Sequence, residues 1–179
     1  MVRIMYHTQE RHHIRLTAPI ICNRDDAWLG TGYYFWWYAI DAVLWGKNSK
    51  KTTGWYEVYQ AEISLDKVLN TSFNLEHYEV WQDVITEVAI TINTQTGHRS
   101  TIQQLNDYIN KFGGWQKFAG VDGILMDDTT GKDERSLIEK LPHLRRIQLV
   151  AYNESIITKF AFHLEGEVPT QIQKKNGRR

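Results

Sequence analysis

A single cysteine, Cys22, stands in this chain of 179 residues, which excludes an internal disulfide and a cysteine-based zinc site. The expectation is a buried thiol in a reducing compartment. Net charge is lacking too. Twenty-one Lys and Arg balance 21 Asp and Glu, so nothing draws the chain as a whole to a polyanion, and any contact with nucleic acid has to be local. There is no run of eighteen apolar residues, and the opening Met1-Val2-Arg3-Ile4-Met5-Tyr6-His7 has no signal-peptide apolar core. These absences predict a soluble, cytoplasmic chain with no membrane partner. Neither a Ser nor a Cys nucleophile motif is present, and Gly46-Lys47 and Gly131-Lys132 lack the glycine spacing and following hydroxyl of a Walker loop, which leaves phosphoryl transfer without support. His12 and His13 are adjacent and no His-x-x-x-His occurs, so no metal is expected: neighbouring side chains on an extended segment point to opposite sides.

Aromatic residues, by contrast, are plentiful: seven Trp, nine Tyr and six Phe are ample for the core of one domain, placed over residues 1–165. The patterning reads as α+β without internal repeats. Val2 to Thr8 alternates as a strand, and Gln9 to Leu29 is a charged segment, long for a loop, of the kind that often carries function. Ala39 to Gly46 reads as a short helix with Ile40, Val43 and Leu44 on one face, and Trp55 to Ile63 as a strand. Trp81, Val84, Ile85, Val88 and Ile92 form an amphipathic stripe. A capping box at Ser100 and Gln103 opens a second helix that Gly113-Gly114 stops. Together these predict a helical insertion at about 74–118. Val121 to Met126 and Arg146 to Tyr152 read as buried strands, with a helix from Glu134 to Leu141 between them. Paired carboxylates such as Asp127-Asp128 after an apolar strand can hold Mg²⁺, but with Thr129-Thr130-Gly131 next they read as a polar turn. Asn153-Glu154 reads as the cap and first-turn acid of a helix carrying Ile156, Ile157 and Phe160, and residues 166–179 as a flexible basic tail.

One stretch stands apart. In Leu29-Gly30-Thr31-Gly32-Tyr33-Tyr34-Phe35 two glycines permit a tight turn and a close backbone approach, and the aromatics that follow begin a strand. An aromatic face there suits a flat cation such as nicotinamide; the same rings also suit a hairpin core.

Tyr6-His7-Thr8 ending the first strand, the Gly-x-Gly-Tyr-Tyr-Phe stretch, a helix containing Asp41-Ala42-Val43-Leu44-Trp45-Gly46, and then Val121 to Asp128 followed by Ile147 to Glu154 occur in an order that resembles the ADP-ribosyltransferase fold. The likeness is to its His-Tyr-Glu branch of diphtheria-toxin and PARP-like enzymes, especially small bacterial PARP-like domains. It touches residues 2–64 and 119–160. It implies a split pair of small mixed sheets with flanking helices, and a cleft that takes NAD⁺ as substrate. On that resemblance His7 binds the adenosine ribose, Thr8 bonds the nicotinamide amide through its backbone where the family has glycine, and Gly32 and Tyr34 hold the nicotinamide, with Tyr33 on the opposite face. The family's glutamate aligns with Gln148, which orients the ribose without a full charge; Glu154 is the rival acid. The implied activity is cleavage of the nicotinamide–ribose bond and transfer of ADP-ribose, most simply as one unit, to a protein or nucleic-acid acceptor by a bacterial or phage effector or toxin. The alternative is a non-catalytic module that binds NAD⁺ or ADP-ribose. A nucleic-acid binder using Arg11, Arg15 and the basic tail is a third and weaker reading.

Overall fold

In the computed structural model, which describes residues 1–24, 27–50, 52–112, 120–128 and 145–169, strands and helices mix in one α+β layer arrangement. Strand β1 (Val2–Glu10) leads through a long loop to β2 (Tyr33–Trp36), helix α1 (Ala39–Ser49), β3 (Trp55–Ser64) and β4 (Val68–Asn70). Helices α2 (Leu75–Thr96) and α3 (Ile102–Phe112) follow, then β5 (Gly123–Asp128), β6 (Arg146–Ala151) and β7 (Ile157–Glu167). No helix among the described residues is long and apolar enough to cross a membrane.

The strands form one sheet in the order β4-β5-β6-β2-β1-β3-β7, not the two small sheets expected. A division persists only as a weak seam. Strand β1 pairs with β3 along its whole length but shares with β2 the single pair Tyr6–Trp36. The sheet also curls. β3 and β4 lie five places apart in the strand order, roughly 24 Å in a flat sheet, yet only Leu65 to Lys67 connect them, a span of at most about 14 Å. One core cluster records the curl: Met5, Ala61 and Ile63 from one half meet Phe35, Leu125, Ile147 and Leu149 from the other, with no α-helix residue among its buried members. The sheet buries this face against itself.

The opposite face takes the helices. Leu69, Ile124, Met126 and Val150 pack under Trp81 and Val84 of α2 and Ile109 of α3. The stripe read from the sequence is therefore the buried face of α2, and Asn74 caps it by accepting from the His77 amide. The capping box exists one residue later than expected. Thr101 Oγ1 accepts from the Gln104 amide, and Gln104 Oε1 accepts from the Thr101 amide.

Helix α1 turns a different face inward than predicted. Asp41, Ala42 and Gly46 are buried, whereas Ile40 is exposed. Gly46 is the reason, because the Tyr56 ring of β3 lies where a β-carbon would sit. Three further expectations are corrected. Asp127 and Asp128 are the last residues of β5, not a turn. The helix after Asn153 is a single 3-10 turn, Glu154–Ile156, and the chain then runs on as β7, because Ile157 to Glu167 pair with the exposed edge of β3. That strand carries Gly166 and Glu167 into pairs with Tyr56 and Trp55, so the ordered structure passes the boundary expected at 165. The helix predicted over Glu134 to Leu141, the stop at Gly113-Gly114 and the basic residues after 169 lie outside the described residues.

Candidate functional site

The seam between β1 and β2 opens into a cavity of about 440 Å³. Its formation follows from the register. Continued past Tyr6–Trp36, the ladder would set Thr8 against Tyr34, but the strands part there, and the His7 imidazole enters the gap. His7 Nδ1 lies 2.8 Å from the Tyr34 carbonyl oxygen. That oxygen only accepts, so Nδ1 carries the proton and Nε2 presents a lone pair. Gln9 Nε2 donates to it at 3.1 Å, and the Ile20 amide approaches at 3.4 Å. Burial holds the imidazole down at about 4, with the Lys50 charge adding to the effect and the Tyr34 carbonyl opposing it. His7 is a neutral, oriented acceptor at the cavity wall.

Tyr34 is fixed by its own turn. Its hydroxyl donates to the Gly30 carbonyl at 2.7 Å and accepts from the Leu29 amide at 3.1 Å. Burial pushes the phenol well above its ordinary range, so the ring is neutral. Helix α3 steadies the same turn, since Asp107 accepts from the Thr31 amide at 2.7 Å. Gly32 does not line the cavity. It bridges to Cys22, and a β-carbon on it would stand 2.7 Å from the Ala151 carbonyl oxygen. The glycine is there for backbone approach to β6. Tyr33 and Phe35 face the sheet-on-sheet core while Tyr34 faces the helical side, as alternation along a strand requires.

Thr8 lines the cavity, but its hydroxyl donates to the Ala42 carbonyl of α1 at 2.9 Å. Gln148, opposite Trp36 on β6, lines it as well, and its Oε1 accepts from Trp28 Nε1 at 3.0 Å. Glu154 lies elsewhere: exposed, it accepts from the Tyr33 hydroxyl across the 3-10 turn. His7, Thr8, Tyr34 and Gln148 thus share one hollow, and Gly32 and Glu154 stand outside it.

The long loop supplies residues that sequence reasoning did not single out. Ile20, Arg24 and Trp28 line the cavity from that side, Trp36 from β2, Trp45 from α1, Lys50 from just after it, and Asp128 from the end of β5. Cys22 also lines it and is half-buried, not the enclosed thiol expected. The signal for Trp28 was its place just before the glycine turn. Asp128 was visible as one of two paired carboxylates after an apolar strand, but its place beside Arg146 and the cavity comes only from the β5–β6 register. Chemically, the hollow joins aromatic walls, two cations, a neutral imidazole acceptor and one carboxylate. That set suits a ligand with flat rings, hydroxyls and anionic groups. No protein-family model, curated protein or solved structure matches this chain.

Proposed function

We propose that the chain is an NAD⁺-dependent ADP-ribosyltransferase that breaks the nicotinamide–ribose bond and passes ADP-ribose to a protein or nucleic-acid acceptor. The observation that carries the reading is the convergence of His7 from β1, Tyr34 from β2 and Gln148 from β6 on one cavity. Each has a part that its chemistry fits. The lone pair on His7 Nε2 accepts a ribose hydroxyl in place of the Gln9 amide. The Tyr34 hydroxyl is tied into the glycine turn, the residue lines the cavity, and an aromatic face suits the pyridinium. Arg24 and Lys50 suit the pyrophosphate. Gln148 orients the scissile ribose, and Thr8, its hydroxyl engaged by α1, leaves its backbone for the amide.

The bond breaks through a state with positive charge on the ribose. Fixed groups that face that charge accelerate the step. The test is incubation of the full chain with NAD⁺, with mass detection of released nicotinamide and of label transferred to protein or nucleic acid. Nicotinamide release that tracks the purified protein supports the reading. Absence of saturable NAD⁺ binding refutes it. A second reading, a non-catalytic binder of NAD⁺ or ADP-ribose, has one specific observation in its favour: an amide bonded to Trp28 stands where a carboxylate works best. Saturable binding without nicotinamide release selects it.

A further inference from the structure

We propose that Asp128 supplies the negative charge that the site lacks at Gln148. The inference rests on the transferase reading above and names the group that faces the ribose. Among the described residues lining the cavity, Asp128 is the sole carboxylate. Register puts it beside Gln148: Met126 of β5 stands opposite Gln148 of β6, and Asp128 opposite Arg146. Side chains of paired residues share a face, and alternate residues along a strand do too. Asp128 and Gln148 are thus diagonal neighbours on the cavity face, roughly 7–8 Å apart between α-carbons. Both side chains line the same cavity.

The carboxylate is also held. Arg146 Nη2 lies 2.9 Å from Asp128 Oδ2, and the Asp128 side chain is 4% exposed. A buried ion pair of this kind fixes the orientation of the carboxylate. Other acids fail on position. Glu154 is outside the hollow, and Glu57, buried on β3 opposite Gln9, accepts from the Tyr59 hydroxyl and does not line the cavity.

In the step itself the bond between ribose C1′ and the nicotinamide nitrogen breaks, its electron pair leaving with neutral nicotinamide. A lone pair of the acceptor oxygen forms the new bond to C1′, and the acceptor's proton passes to water. Asp128 neither gains nor loses a proton. It faces the positive charge on the ribose while that charge exists.

The experiment uses water as acceptor and compares the full-length wild type with Asp128→Asn and Asp128→Glu, reading nicotinamide release and, separately, the Kd for NAD⁺ by calorimetry. Loss of the charge should lower turnover by about 10²–10³-fold while Kd stays within about threefold. Asp128→Glu keeps the charge and the Arg146 partner but displaces the carboxylate, and its turnover should fall between the other two. Undiminished turnover in Asp128→Asn overturns the proposal, as does a loss shared equally by the Asn and Glu variants. If Asp128→Asn does not fold, wild-type turnover in Asp128→Glu overturns it, and a drop of tenfold or more at constant Kd supports it. Wild-type binding without turnover overturns the role of Asp128 and leaves an NAD⁺-binding module standing. Absence of binding removes both.

Discussion

Acid should unfold this protein partly through one buried histidine. His7 has its imidazole held at about 4, against an ordinary value of 6.5, by burial in the seam, with the Lys50 charge assisting and the Tyr34 carbonyl resisting. Between those two values the unfolded chain takes up a proton at His7 and the folded protein does not. Because the folded value is the lower one, the stability contributed by a neutral His7 is complete above about pH 6.5 and is lost as the pH falls toward 4. The whole gap is worth about 3 kcal/mol, and the part crossed by pH 5 about 2 kcal/mol. Carboxylates titrate toward the acid end of this range too, so the contribution is isolated by difference. In His7→Asn the amide N–H replaces the Nδ1 donor to the Tyr34 carbonyl, but nothing titrates. Urea unfolding of both proteins at pH 7, 6 and 5 should show the wild type losing about 2 kcal/mol more than the variant. Parallel stability profiles would refute the reasoning, as would an NMR titration of the His7 ring centred near 6.5.

Tyr34→Phe leaves an unpaired Gly30 carbonyl and Leu29 amide beside the ring and should cost about 1–3 kcal/mol in a denaturant melt, while binding of NAD⁺ stays close to wild type. Tyr34→Ala should weaken that binding at least tenfold by calorimetry; equal affinities in the Phe and Ala variants would remove the ring from the site. Gly32→Ala drives a methyl group against the Ala151 carbonyl and Val150 and should destabilise by about 1–3 kcal/mol, so an unchanged melting temperature would contradict the described turn. Thr101→Ala removes half of the capping box and should cost about 1 kcal/mol, whereas Ser100→Ala at the expected position should cost less. Gln148→Glu keeps an acceptor for Trp28 Nε1 and adds a charge toward the ribose, so nicotinamide release should be kept or raised. Its abolition, or abolition by Glu154→Gln with Gln148→Ala harmless, would put the third position elsewhere.

Most of the elements were legible because local patterns declared them. The alternation in Val2 to Thr8, the stripe through Trp81 and Val84, and the apolar runs near 123 and 147 each carry their own period, and each lies in an observed element. What failed was decided by partners distant in the chain. Ile156, Ile157 and Phe160 have helical spacing after a genuine Asx cap, but the open edge of β3 takes the segment as β7. Ile40, Val43 and Leu44 make an apolar face on α1, yet the helix seats itself where Gly46 lets Tyr56 approach. In both cases tertiary packing outweighs a propensity worth a few tenths of a kcal/mol per residue.

The site divides along the same line. His7 and Tyr34 sit within recognisable short motifs, and their meeting needs only that β1 and β2 be neighbours. The third position depends on register, and register is not written in any local stretch. The resemblance favoured Gln148 over Glu154, but what brings Gln148 to the cavity and leaves Glu154 outside it is the pairing of β6 beside β2 with Trp36 opposite Gln148. Asp128 shows the limit most clearly. Two aspartates before Thr129-Thr130-Gly131 read locally as a turn, because aspartate disfavours strands. The β5–β6 ladder keeps them extended, pairing Asp127 with Ile147 and Asp128 with Arg146, and Arg145 and Arg146 bind the two carboxylates. The charges that stabilise this end of the sheet thereby also deliver a carboxylate to the cavity, so a single cross-strand register accounts for both the fold's departure from the local reading and the group on which the proposed chemistry turns.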